Sequence, residues 1–222
     1  MAGRDPGARR AGGPVVTPRL LLSAYAAGLF PMAAVREAEH LHWLDPDPRG
    51  ILPLDGFHIS RSLRRRILSW RFRISLDSDF AGVLDGCADR PETWINAEIR
   101  ALYLALHRQG HAHSLEVWEG DLLAGGVYGV ALGAAFFGES MFSRRTDASK
   151  VALAWLVGHL RAGGFTLFDT QFLTPHLASL GGVEIPRDDY RRRLAAALAR
   201  PARFDLPLPS AQELVQRSSQ TS

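Results

Sequence analysis

Three side chains in the second half of the chain have the types and spacing to do chemistry. Glu139 lies in the segment Gly138-Glu139-Ser140-Met141-Phe142-Ser143, and Asp169 and Gln171 lie in Phe168-Asp169-Thr170-Gln171. The Glu139 segment is read as a polar knot at the end of an apolar strand. A helix pattern follows it, and then a second apolar strand carries the other two residues. Side chains alternate along a strand, so Asp169 and Gln171 are expected on one face. They should jut together into an open crevice beside an apolar hollow. Carboxylates withdrawn from water hold ammonium groups well and can position an amine for attack. Phe136, Phe137, Met141 and Phe142 would form the hollow, although core packing accounts for them equally. The competing expectation is that the acids are structural ion-pair partners of Arg144, Arg145 or Lys150. Burial of the pair behind guanidinium groups would remove the catalytic reading.

Other chemistries find less support. His107 and His111 have helical i, i+4 spacing and His113 follows, but Gly110 is expected to end the helix between the first two. No cysteine or nearby carboxylate completes a ligand set, so structural histidines are expected and no metal. Gly125-Gly126-Val127-Tyr128-Gly129 sits inside a hairpin strand and does not open a helix, unlike a dinucleotide fingerprint. Glycines within a strand mark close approach by a packed helix or a ligand. No phosphate-binding P-loop is present, and Gly138-Glu139-Ser140-Met141 lacks the glycine that a serine-hydrolase elbow needs after the serine.

The elements that must hold these residues follow from periodicity and caps. Thr17-Pro18 starts a short helix that Gly28 stops. A strand is expected at 50–54, a helix over 60–68 and a strand over 72–76. Further helices are expected over 79–87 and from the Asn96 cap to Gln109. Strands are expected at 114–118, 122–132 and 134–137. Asp147 is expected to cap a helix from Ala148 to Arg161, followed by a strand at 165–172 and a helix over 187–198. Residues 1–15 read as a disordered tail, 16–50 as a small N-terminal domain, 51–205 as the main domain and 206–222 as a frayed tail.

Composition bounds the function. The chain has 222 residues, 46% of them apolar and 22% charged, enough for one ordinary domain and a small one. The net charge of +3 conceals six arginines within thirteen residues: Arg61, Arg64, Arg65, Arg66, Arg71 and Arg73. Such a run is either a solvated helix face or a surface for phosphate backbone. Cys87 is the single cysteine, which suits a reducing compartment. The longest apolar run, residues 20–30, falls short of the ~20 residues a bilayer span needs. A cytoplasmic monomer is expected.

Several segments together resemble the leucyl/phenylalanyl-tRNA–protein transferase family. The matching stretches are residues 25–32, 43–54, 57–65, 93–96, 110–128, 138–150, 168–171 and 176–186, with Tyr190. The resemblance spans about Leu20 to Leu198. It implies an α+β protein: a small N-terminal α/β domain and a C-terminal domain like the GNAT acyltransferases. The implied activity takes leucine or phenylalanine from aminoacyl-tRNA and joins it to the N-terminal arginine or lysine of an acceptor protein, marking it for proteolysis. No cofactor is implied. By motif position, Asp169 would orient Gln171, which would hold the incoming α-amine, and Glu139 would anchor the aminoacyl end or the acceptor cation. Tyr25 and Trp94 would contact the terminal adenosine. Met141, Phe142 and Ser143 would meet the aminoacyl end, with Met141 a wall of the side-chain pocket. Arg61, Arg64, Arg65 and Arg66 would face the tRNA backbone. The chain departs from the family pattern in having Met32 for a tryptophan, Thr170 for a frequent cysteine, and no Gly-Gly-Asp-Leu segment before the first helix. Two rivals remain at this point. One is an acyl-CoA-dependent enzyme, whose Gly-rich pyrophosphate turn is missing before Ala148. The other is a non-catalytic tRNA-binding module.

Overall fold

A computed structural model describes residues 16–33 and 41–218. The tail assigned to residues 1–15 and the last four residues lie outside them. In chain order the elements are α1 (Pro18–Ala26), β1 (Phe30–Ala33), β2 (Leu41–Leu44), β3 (Arg49–Ile51), α2 (Arg61–Leu68), β4 (Arg73–Leu76), α3 (Phe80–Ala88), α4 (Ala97–Arg108), β5 (Ala112–Glu119), β6 (Leu122–Leu132), β7 (Ala135–Ser143), α5 (Ala148–Ala162), β8 (Leu167–Gln171), α6 (Pro175–Ala178), β9 (Val183–Ile185), α7 (Arg187–Leu198) and α8 (Ala211–Ser218). This is the expected α+β class.

Seven strands form one sheet in the order β4-β5-β6-β7-β8-β3-β9, and β1 and β2 form a separate antiparallel pair. All neighbours in the large sheet are antiparallel except β7 and β8, which are parallel and joined through α5. That crossover is the strand-helix-strand unit read from the sequence. It brings the carboxyl ends of two adjacent central strands to the same end of the sheet, where an α/β unit leaves room for a site.

Alternation along the strands feeds two cores. Tyr128, Val130 and Phe137 join one apolar cluster with residues of α1, α3, α4 and α7. Val127 and Phe136 join the other with residues of α2, α5 and α8. The sheet is thus the middle of three layers. Helix starts are set locally: Thr17, Ser60, Asp79, Asn96 and Thr174 each accept a backbone N–H three residues on, caps worth about 1 kcal/mol apiece.

The glycines of β6 are explained by packing. A Cβ on Gly125 would lie 2.7 Å from that of Ala148, and one on Gly126 would lie 2.8 Å from Val83. A packed helix on each face, not a ligand, approaches the strand. The histidines are structural as well: His107 stacks on Phe80 at 4.3 Å and donates from Nδ1 to the Ala112 carbonyl, while His113 Nδ1 meets Asp77 at 2.7 Å.

The structure corrects three expectations. The polar knot at 138–143 is not a strand end, since β7 runs through it to Ser143, pairing with β6 on either side of a bulge at Glu139. Asp147 makes no capping bond to α5. It sits in the left-handed region (φ 68°), and its carboxylate lies between Arg66 at 3.6 Å and Lys150 at 3.5 Å. Residues 211–218 are not frayed but form α8, which buries Leu214 and Val215. In addition, β3 enters the large sheet between β8 and β9, so a boundary near residue 50 falls inside a strand.

Candidate active site

A cavity of about 730 Å³ opens at the carboxyl ends of β7 and β8. Its walls come from both strands, from the start of α5, and from the segments around Phe30, Trp94 and Phe172. Glu139, Met141, Phe142, Ser143, Trp94 and Gln171 all line it. Tyr25, Asp169 and the four arginines of α2 do not.

Asp169 is the main correction. It is wholly buried, and so is Arg49, whose Nε reaches Oδ1 at 2.9 Å and whose second terminal nitrogen reaches Oδ2 at 2.6 Å. The hydroxyl of Tyr190 donates to Oδ2 at 2.8 Å. Arg49 also donates to the Gly28 carbonyl and lies over the rings of Phe30 and Tyr190. Asp169 therefore does not jut into an open crevice. A guanidinium seals it in, and a catalytic reading resting on that carboxylate as a cavity group falls. Arg144, Arg145 and Lys150, the expected ion-pair partners, pair instead with Asp89, Glu119 and Asp147.

What Asp169 does is hold Gln171. Its Oδ1 accepts the Gln171 backbone N–H at 2.9 Å, and Gln171 takes the left-handed region at φ 59°. The pairing of β3 with β8 slips between Gly50 and Ile51, opposite this residue. The chain passes so close to β3 there that a Cβ on Gly50 would lie 2.5 Å from the Phe172 carbonyl carbon. This irregularity breaks the simple alternation. Asp169 turns to Arg49, while Thr170 and Gln171 line the cavity.

Glu139 is the acid at the cavity. Its Oε2 accepts from the Tyr103 hydroxyl at 2.7 Å, and the Tyr103 oxygen lies 2.6 Å from the Tyr25 hydroxyl. Burial pushes the Glu139 carboxyl up to about 7, against the hydrogen bonds from the two tyrosines. Burial and the Glu139 charge push both phenols well above their ordinary range, so they remain neutral donors. Tyr25 offers no face to a ligand. It is fully buried, 4.8 Å from the Phe137 ring, because the first helix packs inward and points its hydroxyl at Tyr103. Sequence reasoning missed Arg49 and Tyr103.

The cavity is built for a polar ligand with an apolar part. Seven buried side-chain polar atoms lack a hydrogen-bond partner among the described residues, and four belong to cavity-lining residues: Glu139 Oε1, Thr170 Oγ1, Gln171 Nε2 and His176 Nε2. An unsatisfied buried polar atom costs about 1–3 kcal/mol, so their convergence favours a ligand that supplies partners. Val127, Met141, Phe142, Leu153 and Phe168 form the apolar wall. Among the described residues no group of three or more His, Cys, Asp or Glu could hold a metal ion, and no helix is long and apolar enough to cross a membrane.

Comparison with known proteins decides the family. The sequence profile of the leucyl/phenylalanyl-tRNA protein transferase family matches residues 51–195, and that of the family's N-terminal domain matches residues 15–47. The chain belongs to this family. It is 67% identical over 211 residues to the leucyl/phenylalanyl-tRNA–protein transferase of Cereibacter sphaeroides, covering 94% of this chain and 99% of that one. The relative of the same name from Roseobacter denitrificans is 65% identical over 208 residues, covering 93% and 99%. The chain is thus an aminoacyltransferase by family. Among solved structures it is similar to L-PGS from Bacillus licheniformis, at 12% identity and a TM-score of 0.42. That match covers 78% of this chain and 64% of the other, less than two thirds of its length.

Proposed function

We propose that the chain moves leucine or phenylalanine from aminoacyl-tRNA to the N-terminal arginine or lysine of acceptor proteins, marking them for proteolysis. It works as a single chain without a cofactor. The observation that carries this reading is one cavity in which an apolar wall meets Glu139 and Gln171, each with a buried polar atom awaiting a partner. A volume near 730 Å³ suits a small-molecule-sized group.

The leucyl or phenylalanyl side chain lies against Met141, whose flexible thioether adapts to either shape. Trp94, half-buried at the cavity, offers a ring to the terminal adenosine. The lone pair of the acceptor α-amine attacks the ester carbonyl carbon. The new C–N bond forms, the ester C–O bond breaks, and the amine proton leaves with the ribose oxygen. Gln171 Oε1 accepts from the amine, and Nε2 donates to the carbonyl oxygen as charge develops there. Glu139 holds an ammonium of the bound substrates. Asp169 acts from behind by fixing the backbone of Gln171. Since the ester is already activated, orientation supplies most of what the step needs.

Transfer of labelled leucine from Leu-tRNA to a peptide with N-terminal arginine tests the proposal, and a panel of N-termini tests the acceptor. Transfer from leucyl-CoA alone would point to the acyl-CoA reading. That reading is disfavoured at the start of α5, where a pyrophosphate would need bare N–H groups: that of Ala148 donates to the Arg145 carbonyl and that of Ser149 to Ser143 Oγ.

A further inference from the structure

Two of the four unpartnered buried atoms at the cavity have no task in the transfer step. The reacting groups engage Glu139 and Gln171 but leave Thr170 Oγ1 and His176 Nε2 as they are. Both residues belong to the α5 side of the cavity. Phe168 joins the core on that side and Asp169 turns the other way to Arg49, so alternation returns Thr170 to the α5 side. His176 stands on α6, whose Leu177 joins the same core, and Lys150 of α5 is the charge that acts on its ring. The apolar wall is on this side as well: Val127, Leu153 and Phe168 belong to that core, and Met141 packs against it. His176 is firmly mounted. Thr174 accepts the Leu177 N–H at 3.2 Å to start α6, and Ser179 Oγ donates to the His176 carbonyl at 2.7 Å. Burial, aided by the Lys150 charge, pushes its imidazole below the ordinary value, so the ring is neutral at pH 7.

A leucyl or phenylalanyl side chain on this wall satisfies neither atom, and each one left unpaired costs about 1–3 kcal/mol. A cation is a poor partner here. The charge acting on His176 is that of Lys150, and the carboxylates lining the cavity, Glu139 and Asp89, belong to the other side, with Tyr103 and α3. An uncharged side chain with a hydrogen-bonding tip suits both atoms. Tyrosine is phenylalanine with such a tip, and its hydroxyl can donate to an imidazole nitrogen while accepting from a threonine hydroxyl. We propose that the aminoacyl pocket also takes tyrosine, with the phenol held by Thr170 and His176, so that tyrosyl-tRNA is a further donor. This inference rests on the proposed transfer from aminoacyl-tRNA.

The test charges one and the same tRNA with phenylalanine or with tyrosine and measures transfer to a peptide with N-terminal arginine. A wholly apolar pocket rejects an added hydroxyl by about a hundredfold. Here kcat/KM for the tyrosyl donor should lie within about tenfold of that for the phenylalanyl donor. Thr170→Val and His176→Phe should each lower the tyrosine-to-phenylalanine ratio by about tenfold, as loss of one buried hydrogen bond predicts. The ratio does not depend on how much of a variant is folded. Rejection of tyrosine by about a hundredfold or more in the unaltered protein overturns the proposal and leaves the transfer reading standing. So does a ratio that neither substitution moves. A raised KM for the arginine peptide at an unchanged ratio would assign the two atoms to the acceptor and also overturns it. If the unaltered protein transfers leucine, phenylalanine and tyrosine alike to no peptide, the proposed function fails. Binding of the non-hydrolysable tyrosyl and phenylalanyl amides of 3′-amino-3′-deoxyadenosine still judges the pocket: comparable affinities support the phenol site, and a tyrosyl amide weaker by about a hundredfold overturns it.

Discussion

Arg49 and Asp169 are 120 residues apart in sequence and form a two-point ion pair with no exposure on either side. The pair joins β3 to β8 and backs the floor of the cavity without entering it. Removing one partner from a buried pair strands the other charge, at about 3–5 kcal/mol. Asp169→Ala should therefore lower unfolding free energy by that amount in denaturant titration and lose activity through loss of the fold. Arg49→Met combined with Asp169→Leu should recover most of the stability. If that folded double variant also regained full activity, Asp169 would have no role in holding Gln171.

Glu139 makes stability depend on pH. Its carboxyl titrates near 7 in the fold, against an ordinary value of 4.5. Below the ordinary value both states hold the proton and the fold is not penalised. Between the two values the unfolded chain releases its proton while the folded chain keeps it, so stability falls as pH rises, and the loss is complete above the folded value. The shift corresponds to roughly 3 kcal/mol. Glu139→Gln should therefore gain about that much on the unaltered protein between pH 4.5 and pH 8, measured as the difference between their unfolding free energies. A constant difference across that range would remove the buried carboxyl from the account.

The parts of this fold that were readable in the sequence are those that local rules decide. Thr17, Ser60 and Asn96 start helices with side-chain caps, and Gly28 and Gly110 end or follow them in the left-handed region. The β7–α5–β8 crossover follows from apolar runs flanking a helix pattern. What escaped depends on tertiary partners. Tyr103 shares an apolar helix stripe with Ile99, Leu102 and Leu106 and reads as core, and only the fold brings its hydroxyl to Glu139. Residues 138–143 read as the end of a strand because Glu139, Ser140 and Ser143 interrupt the apolar run, and the bulge at Glu139 that carries the strand through them depends on its pairing with β6. Alternation wrongly paired Asp169 with Gln171 because the slip opposite Gly50 is invisible in either strand alone. Two signals were present and passed over. An arginine at the head of the apolar strand Arg49–Ile51 must be paired if that strand is buried. Ser210 and Glu213 have capping-box spacing, and each accepts the other's backbone N–H at the start of α8.

Gly50 holds the bend that aims Gln171. Gly50→Ala would force its new methyl against the backbone at Phe172 and Leu173, 2.5 and 2.7 Å away. Backbone cannot yield as a flexible side chain can, so the cost should be about 1–3 kcal/mol, as for overpacking elsewhere. The diagnostic readout is catalytic. With the variant still folded, kcat should fall by about tenfold or more, since small misplacements of an orienting group carry such penalties, while KM for Leu-tRNA changes little. A raised KM at unchanged kcat would mean that this strand contact serves binding and not the orientation of Gln171.

Tyr103 tunes Glu139 through one hydrogen bond. A donor to the ionised carboxylate favours the charged form and opposes the upward push of burial. Tyr103→Phe removes the donor with almost no change in shape, so Glu139 should hold its proton to higher pH. If Glu139 must be ionised to grip an ammonium, the ascending limb of kcat/KM against pH should move to the alkaline side in Tyr103→Phe. Activity at low pH should drop by the same factor, and the plateau should be approached at high pH. In Glu139→Gln the limb due to this group should vanish, leaving only that of the acceptor amine. The two variants separate ionisation from position. A Tyr103→Phe profile lowered equally at every pH would assign the phenol to packing. A limb unmoved in either variant would show that the charge on Glu139 plays no part in gripping the substrate.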